Sequence, residues 1–183
     1  MTRDEERKLA DAARFWWQQL RPDLSRNHKG DPGALARLRR GGLQEAALEP
    51  ATADLYRRIK PFLRDAQLDA FETAALIAAV LAHVRDHDPR QSVARAAGAQ
   101  GHNDARVSPL RFRKILATRG KPDCLIAFRR LIALLSQTAN AGDLAASLAE
   151  WNQDGAGDRR RTRWAFDYYD AGALAPRESQ DAA

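Results

Sequence analysis

The amino-acid sequence predicts an all-α protein, a two-lobed helical bundle of about eight or nine helices. Three observations carry this. Apolar residues recur at helical spacing through most of the chain, and no stretch alternates apolar and polar residues as a half-buried strand would. Capping residues open these periodic stretches, and glycine or proline closes them. Neither a repeat of fixed period nor a heptad run suggests a solenoid or a coiled coil.

Thr2 and Glu5 stand at the capping-box spacing that opens a first helix, running to about Leu20. Its apolar stripe is Leu9, Ala13, Trp16, Trp17 and Leu20. Adjacent tryptophans cannot both face a core squarely, so one is expected at a half-buried rim. A polar loop over 21–30 follows. Asp31-Pro32 opens a short helix, ALARLRR, stopped by Gly41-Gly42. Arg37, Arg39 and Arg40 crowd its end, where cations either complement the helix dipole or offer a phosphate contact. ATADLYRRIK is the next helix, ended before Pro61. Asp65 then starts the longest helix of the first half, to about His87, with Leu68, Phe71, Ala75, Ala78, Leu81 and Val84 on its apolar face. Pro89 closes it, and 87–91 is the expected hinge. The halves are then an N-terminal lobe over 1–87 and a C-terminal lobe over 92–171, with a flexible tail over 172–183.

The second half opens with a short helical piece over 92–97 and a glycine-rich loop over 99–107, expected to be mobile. Residues 108–135 then read as two amphipathic helices with basic faces. Ser108 caps the first and Pro109 suits its first position. Phe112, Ile115 and Leu116 share one face of it, while Arg111 and Lys114 share another. Gly120 and Pro122 mark the break, and Asp123 favours the dipole of the next helix. That helix is apolar round most of its circumference, interrupted only by Arg129 and Arg130. The pair either meets carboxylates from other helices or presents planar donor forks to phosphate. Asp143 is expected to cap a helix to Trp151, and 158–171 forms the last helix. Trp164 and Tyr168, one turn apart, mark its aromatic stretch as packed core.

Charge narrows the function. The chain carries a net +6, and residues 92–130 hold nine Arg or Lys against two Asp, so the rest is close to neutral. A concentrated basic segment is an electrostatic footprint for a polyanion. Arginine outnumbers lysine 25 to 5, a bias that a GC-rich coding sequence also produces. The single Cys124 excludes a disulfide framework and suits a reducing compartment. With a charged N-terminus and no apolar run of membrane-spanning length, a cytoplasmic protein that needs no membrane is expected.

No catalytic constellation appears, and neither a metal site nor a cofactor site is expected. There is no glycine-rich phosphate loop and no CxxC pair, and Cys124 sits in an apolar helix. One motif imitates a site. In HVRDHD, His83 and His87 fall one turn apart on the expected helix, and His87-Asp88 spells the dipeptide of HD phosphohydrolases. The further ligands such a site needs are missing, since only His28 and His102 remain and both lie in loops.

The succession of segments resembles the CasB family, the small subunit of the type I-E CRISPR complex Cascade. FWWQQL, ALARLRR, LYRRIKPF, the alanine-rich helix ending at His83, SVARA, VSPLRFRKIL, FRRLIALL, a helix ending in Trp151 and RTRWAFDYY follow in order over 15–169. The loop 21–30 and the tail lie outside the resemblance. It implies a non-enzymatic protein of two helical lobes that packs beside other Cascade subunits and a second copy of itself. Basic faces of such subunits run along guide RNA, target DNA and the displaced strand, and steady the R-loop. Arg39, Arg40, Arg111, Lys114, Arg129 and Arg130 are the expected nucleic-acid contacts. A protein-only adaptor that docks an acidic partner is the alternative, and an HD hydrolase a weaker one.

Overall fold

The computed structural model describes residues 1–23, 27–64, 66–99 and 104–171. Among these the chain forms ten α-helices and two strands of two residues each. The first half holds α1 (Arg3–Leu20), α2 (Pro32–Arg40), α3 (Leu43–Leu48), α4 (Pro50–Ile59), α5 (Gln67–Leu81) and β1 (Asp86–His87). The second holds α6 (Val93–Ala97), α7 (Pro109–Leu116), α8 (Lys121–Leu134), β2 (Thr138–Ala139), α9 (Ala141–Trp151) and α10 (Ala156–Asp170). The fold is all-α, as expected. Asp65, His102, most of the glycine-rich loop's centre and the tail 172–183 lie outside the described residues.

The centre is α5. From Thr73 to Leu81 every residue is buried, so the helix is apolar on all sides and takes neighbours on all sides. It packs on α3, α4, α8 and α9, while the longest helix contact runs between α1 and α9. That contact is close because Gly142 lacks a side chain: a Cβ there would stand 3.1 Å from the Ala10 Cβ and 3.2 Å from its carbonyl oxygen. Helices from both halves thus share one hydrophobic core. An aromatic cluster fills its C-terminal end. Phe112 of α7 stacks on Tyr168 at 3.9 Å, and Trp164 meets Phe128 and Trp151 at 5.4 and 5.0 Å. Trp164 is 1% exposed and donates its indole N–H to Ser147 Oγ at 2.9 Å, as its expected core role requires.

Several local expectations are corrected. Trp16 and Trp17 are both buried, because α1 is covered on two sides. Trp16 donates to the Ala51 carbonyl at 2.9 Å and Trp17 to the Val84 carbonyl at 3.2 Å. Helix α3 was not expected; the Glu45 carboxylate accepts the Gly42 N–H at 2.9 Å and closes its first turn. Helix α5 ends at Leu81, not near His87. The chain beyond it extends and pairs in parallel with residues 138–139, Asp86 opposite Thr138 and His87 opposite Ala139. Two pairs are too short to alternate visibly in sequence. Asn140, not Asp143, caps α9 by accepting the Asp143 N–H. Asp143 instead accepts the Val93 N–H at 2.8 Å and opens α6. Ser108 makes no side-chain cap, and α10 begins at Ala156.

One buried ionic network ties the C-terminal helix to the rest. Arg160 of α10 is 4% exposed. Its Nη1 donates to Glu6 of α1 at 2.8 Å, and its Nε and Nη2 donate to Glu150 of α9 at 3.0 and 2.7 Å.

Candidate nucleic-acid interface

Packing of α7 decides which of its residues face out. Phe112 and Ile115 are buried, so Arg111 and Lys114, one turn apart, stand exposed on the other side. On α8, Phe128, Leu131 and Ile132 are buried and Arg130 is exposed. These three cations converge on an open groove of about 590 Å³ between the two helices. Its floor is apolar, made by Ile115, Ala127, Ala133 and Leu134, and the three cations form its rim. Among the described residues no carboxylate lies within ion-pair distance of Arg111, Lys114 or Arg130. Several other arginines are matched: Arg7 with Asp4, Arg37 with Glu49, Arg58 with Asp54. Lys121, at the start of α8, is held by Asp69 and Glu72. The groove is therefore a patch of uncompensated positive charge on two packed helices.

Arg129 turns away from it. One residue along a helix is about 100° of rotation, so neighbours on α8 face different partners. Arg129 Nη2 donates to the carbonyls of Leu38 at 2.9 Å and Gly41 at 2.7 Å, at the C-terminal end of α2. The expectation that a structural Arg129 would need a carboxylate is thereby corrected: helix-end carbonyls, which carry the negative end of the dipole, serve instead. Arg39 does the same for α5, its Nε donating to the Ala82 carbonyl at 2.5 Å. Burial lowers the pKa of both, and for Arg39 the charges of Arg85 and Arg21 add to it. Arg40 is exposed and donates its Nε to the Ala36 carbonyl of its own helix. The six expected contacts thus divide: Arg111, Lys114 and Arg130 at the groove, Arg39 and Arg129 at the junction of α2, α5 and α8, and Arg40 at the end of α2. Arg129→Ala is expected to cost about 1–3 kcal/mol of stability, since it leaves partly buried carbonyls without a donor. Urea unfolding of the variant measures this.

The histidine motif dissolves in three dimensions. His83 and His87 do not share a helix, because α5 ends before both. His87 lies in β1 and its Nδ1 accepts the Ala141 N–H at 3.2 Å. Among the described residues no group of three or more His, Cys, Asp or Glu is placed to hold a metal ion. Cys124 is buried, and burial pushes its thiol pKa up. No described helix is long and apolar enough to cross a membrane.

Residues 34–169, well over half of the chain, match the model of a family described as CRISPR-associated protein Cse2. The chain belongs to this family. Cse2 is the CasB family that the motifs resemble, so this Cse2 protein is a small subunit of the CRISPR Cascade complex and works among other subunits. The family's role is structural. Both basic helices and the whole groove fall inside the matched residues of this Cse2 chain. Comparison with curated proteins and with solved structures found no match.

Proposed function

We propose that this Cse2 protein steadies the Cascade R-loop by holding nucleic-acid phosphates in the α7–α8 groove, with no catalytic step of its own. The observation that carries this reading is the convergence of Arg111, Lys114 and Arg130, uncompensated among the described residues, on one open groove. Two packed helices fix the backbone that carries the donors, so the freedom lost on binding is confined to their side chains. Such contacts position a backbone without reading sequence. That is the chemistry an R-loop needs: exchange of a DNA duplex for a guide RNA–target DNA heteroduplex is nearly balanced, and backbone contacts tip it. The displaced strand has its bases free, and the apolar floor of Ile115, Ala127, Ala133 and Leu134 offers a surface for a base or sugar face beside the phosphate donors. Arg40, exposed at the end of α2, extends the track. A second copy of the chain and the other Cascade subunits are the protein partners in this reading.

The same apolar floor favours one other occupant, an acidic amphipathic segment of a partner protein. Salt dependence on DNA separates the two. Three phosphate contacts on a single strand give a slope of about −2 in log affinity against log salt, or roughly a 20-fold loss between 50 and 200 mM. Fluorescence anisotropy with a thymidine oligonucleotide should show that loss and no sequence preference. Absence of binding at low salt, with capture of an acidic peptide in its place, would move the groove to the adaptor reading.

A further inference from the structure

A second concentration of positive charge lies where α2 and α5 end against α8. Arg39 reaches across to the end of α5, and Arg129 reaches across to the end of α2. His83 lies near enough for the charges of both to act on it, and its Nε2 is buried and without a partner among the described residues, as is Arg129 Nε. Arg85, exposed, and Arg21 are near enough to act on Arg39. The carboxylates of the neighbouring elements are engaged elsewhere. Glu45 closes the first turn of α3, and Glu49 pairs with Arg37. Asp86 follows Arg85 in an extended segment, where successive side chains alternate sides, and it does not act on His83 or Arg39. The groups that face His83 are therefore burial, Arg129 and Arg39, all of which lower its pKa, and a backbone hydrogen bond with Arg39 that raises it.

We propose that this junction is a second phosphate site, in which Arg39 and Arg85 take a phosphodiester of the bound nucleic acid and His83 takes up a proton as it arrives. The class of anion rests on the nucleic-acid reading above; the site itself does not. Arg39 and Arg129 satisfy helix-end carbonyls, yet hydrogen bonds to carbonyls leave their full charges in place. Burial is the largest cause of the lowered His83 pKa and stays in place, but an anion bound by Arg39 and Arg85 offsets the part that the charges of Arg129 and Arg39 contribute. Linkage is reciprocal: if the anion raises the His83 pKa, protonation of His83 tightens the anion. The sign is fixed by that. Binding is tightest below the pKa of the free protein and weakens as pH rises through the pKa of the complex. A shift of one unit corresponds to about tenfold in affinity across that window.

The test is an NMR titration of the His83 ring in the whole protein, alone, with pyrophosphate, and with a thymidine oligonucleotide. The His83 pKa should rise by about one unit with either anion, and Arg85→Gln should remove most of that rise. A His83 pKa that does not move in the presence of either anion overturns the proposal, as does a rise that survives Arg85→Gln. The same titration on Arg111→Glu/Lys114→Glu protein separates the two sites. Loss of oligonucleotide binding with the pyrophosphate response of His83 intact supports both readings. Unchanged oligonucleotide binding with an intact His83 response sinks the groove and keeps the junction.

Discussion

Arg160→Ala is expected to lower the unfolding free energy of this Cse2 protein by about 3–5 kcal/mol, the range for removing one partner of a buried ionic group. The arginine is 4% exposed and bridges three helices. Its guanidinium satisfies Glu150 with two donors and Glu6 with a third. Truncation leaves two carboxylates facing a cavity, answered among the described residues by Arg163 at 3.5 Å from Glu6 and the N-terminal ammonium at 3.5 Å from Glu150. The ammonium has no planar fork, and Arg163 is largely exposed and reaches Glu6 through one nitrogen at long range, so neither replaces the buried guanidinium. The damage falls on the seam where α10 meets α1 and α9, so the whole core loosens with it. Chemical denaturation of the variant checks this. A midpoint equal to wild type would mean that the network contributes nothing beyond its own desolvation.

Arg111→Glu/Lys114→Glu is expected to do the opposite: no loss of stability, and a large loss of binding. Both side chains are exposed and unpaired among the described residues, so the folded state loses no contact. Hydrogen bonds to charged groups contribute about 1.5–3 kcal/mol each. Two of them gone, with repulsion in their place, predict at least a hundredfold weaker binding to single-stranded DNA at low salt. The slope of affinity against salt should flatten as well, since fewer counterions are released. Matched melting curves and anisotropy titrations on the same samples measure both halves. Arg130→Glu alone should reproduce part of the effect from the other wall of the groove, whereas Arg129→Ala should act on stability first.

Much of the fold was legible because helix signals are local. The Thr2–Glu5 capping box, Pro32 and Pro109 at helix starts, and the apolar faces of α5 and α8 are all written within a few residues. The outward turn of Arg111 and Lys114 was legible for the same reason, since Phe112 and Ile115 fix the buried face. What sequence could not show is where a side chain finds a partner far along the chain. Arg129 and Arg130 are neighbours with the same chemistry, yet one is committed to carbonyls about 90 residues away and the other is left at a groove. Arg160 was invisible as a structural ion because Glu6 lies 154 residues from it. His83 and His87 looked like a helical pair because nothing local announces that α5 stops at Leu81. The stop is made by the pairing of β1 with β2 across some 50 residues. Arg85 carried no signal at all: the same turn, where its N–H donates to the Gln137 carbonyl, brings its charge within reach of Arg39.

The measurement that tests the central claim most directly is the lifetime of the R-loop in a reconstituted Cascade carrying this Cse2 protein. The wild-type subunit and the Arg111→Glu/Lys114→Glu subunit are assembled with the same guide RNA, and collapse of the R-loop is followed after the target is bound. Both should enter the complex in equal amounts, since the altered residues hold no part of the fold together. The R-loop held by the charge-reversed subunit should collapse at least tenfold faster, and its displaced strand should become open to a single-strand nuclease. If the reversed subunit assembles normally and the R-loop persists as long as with wild type, the groove does not hold the nucleic acid.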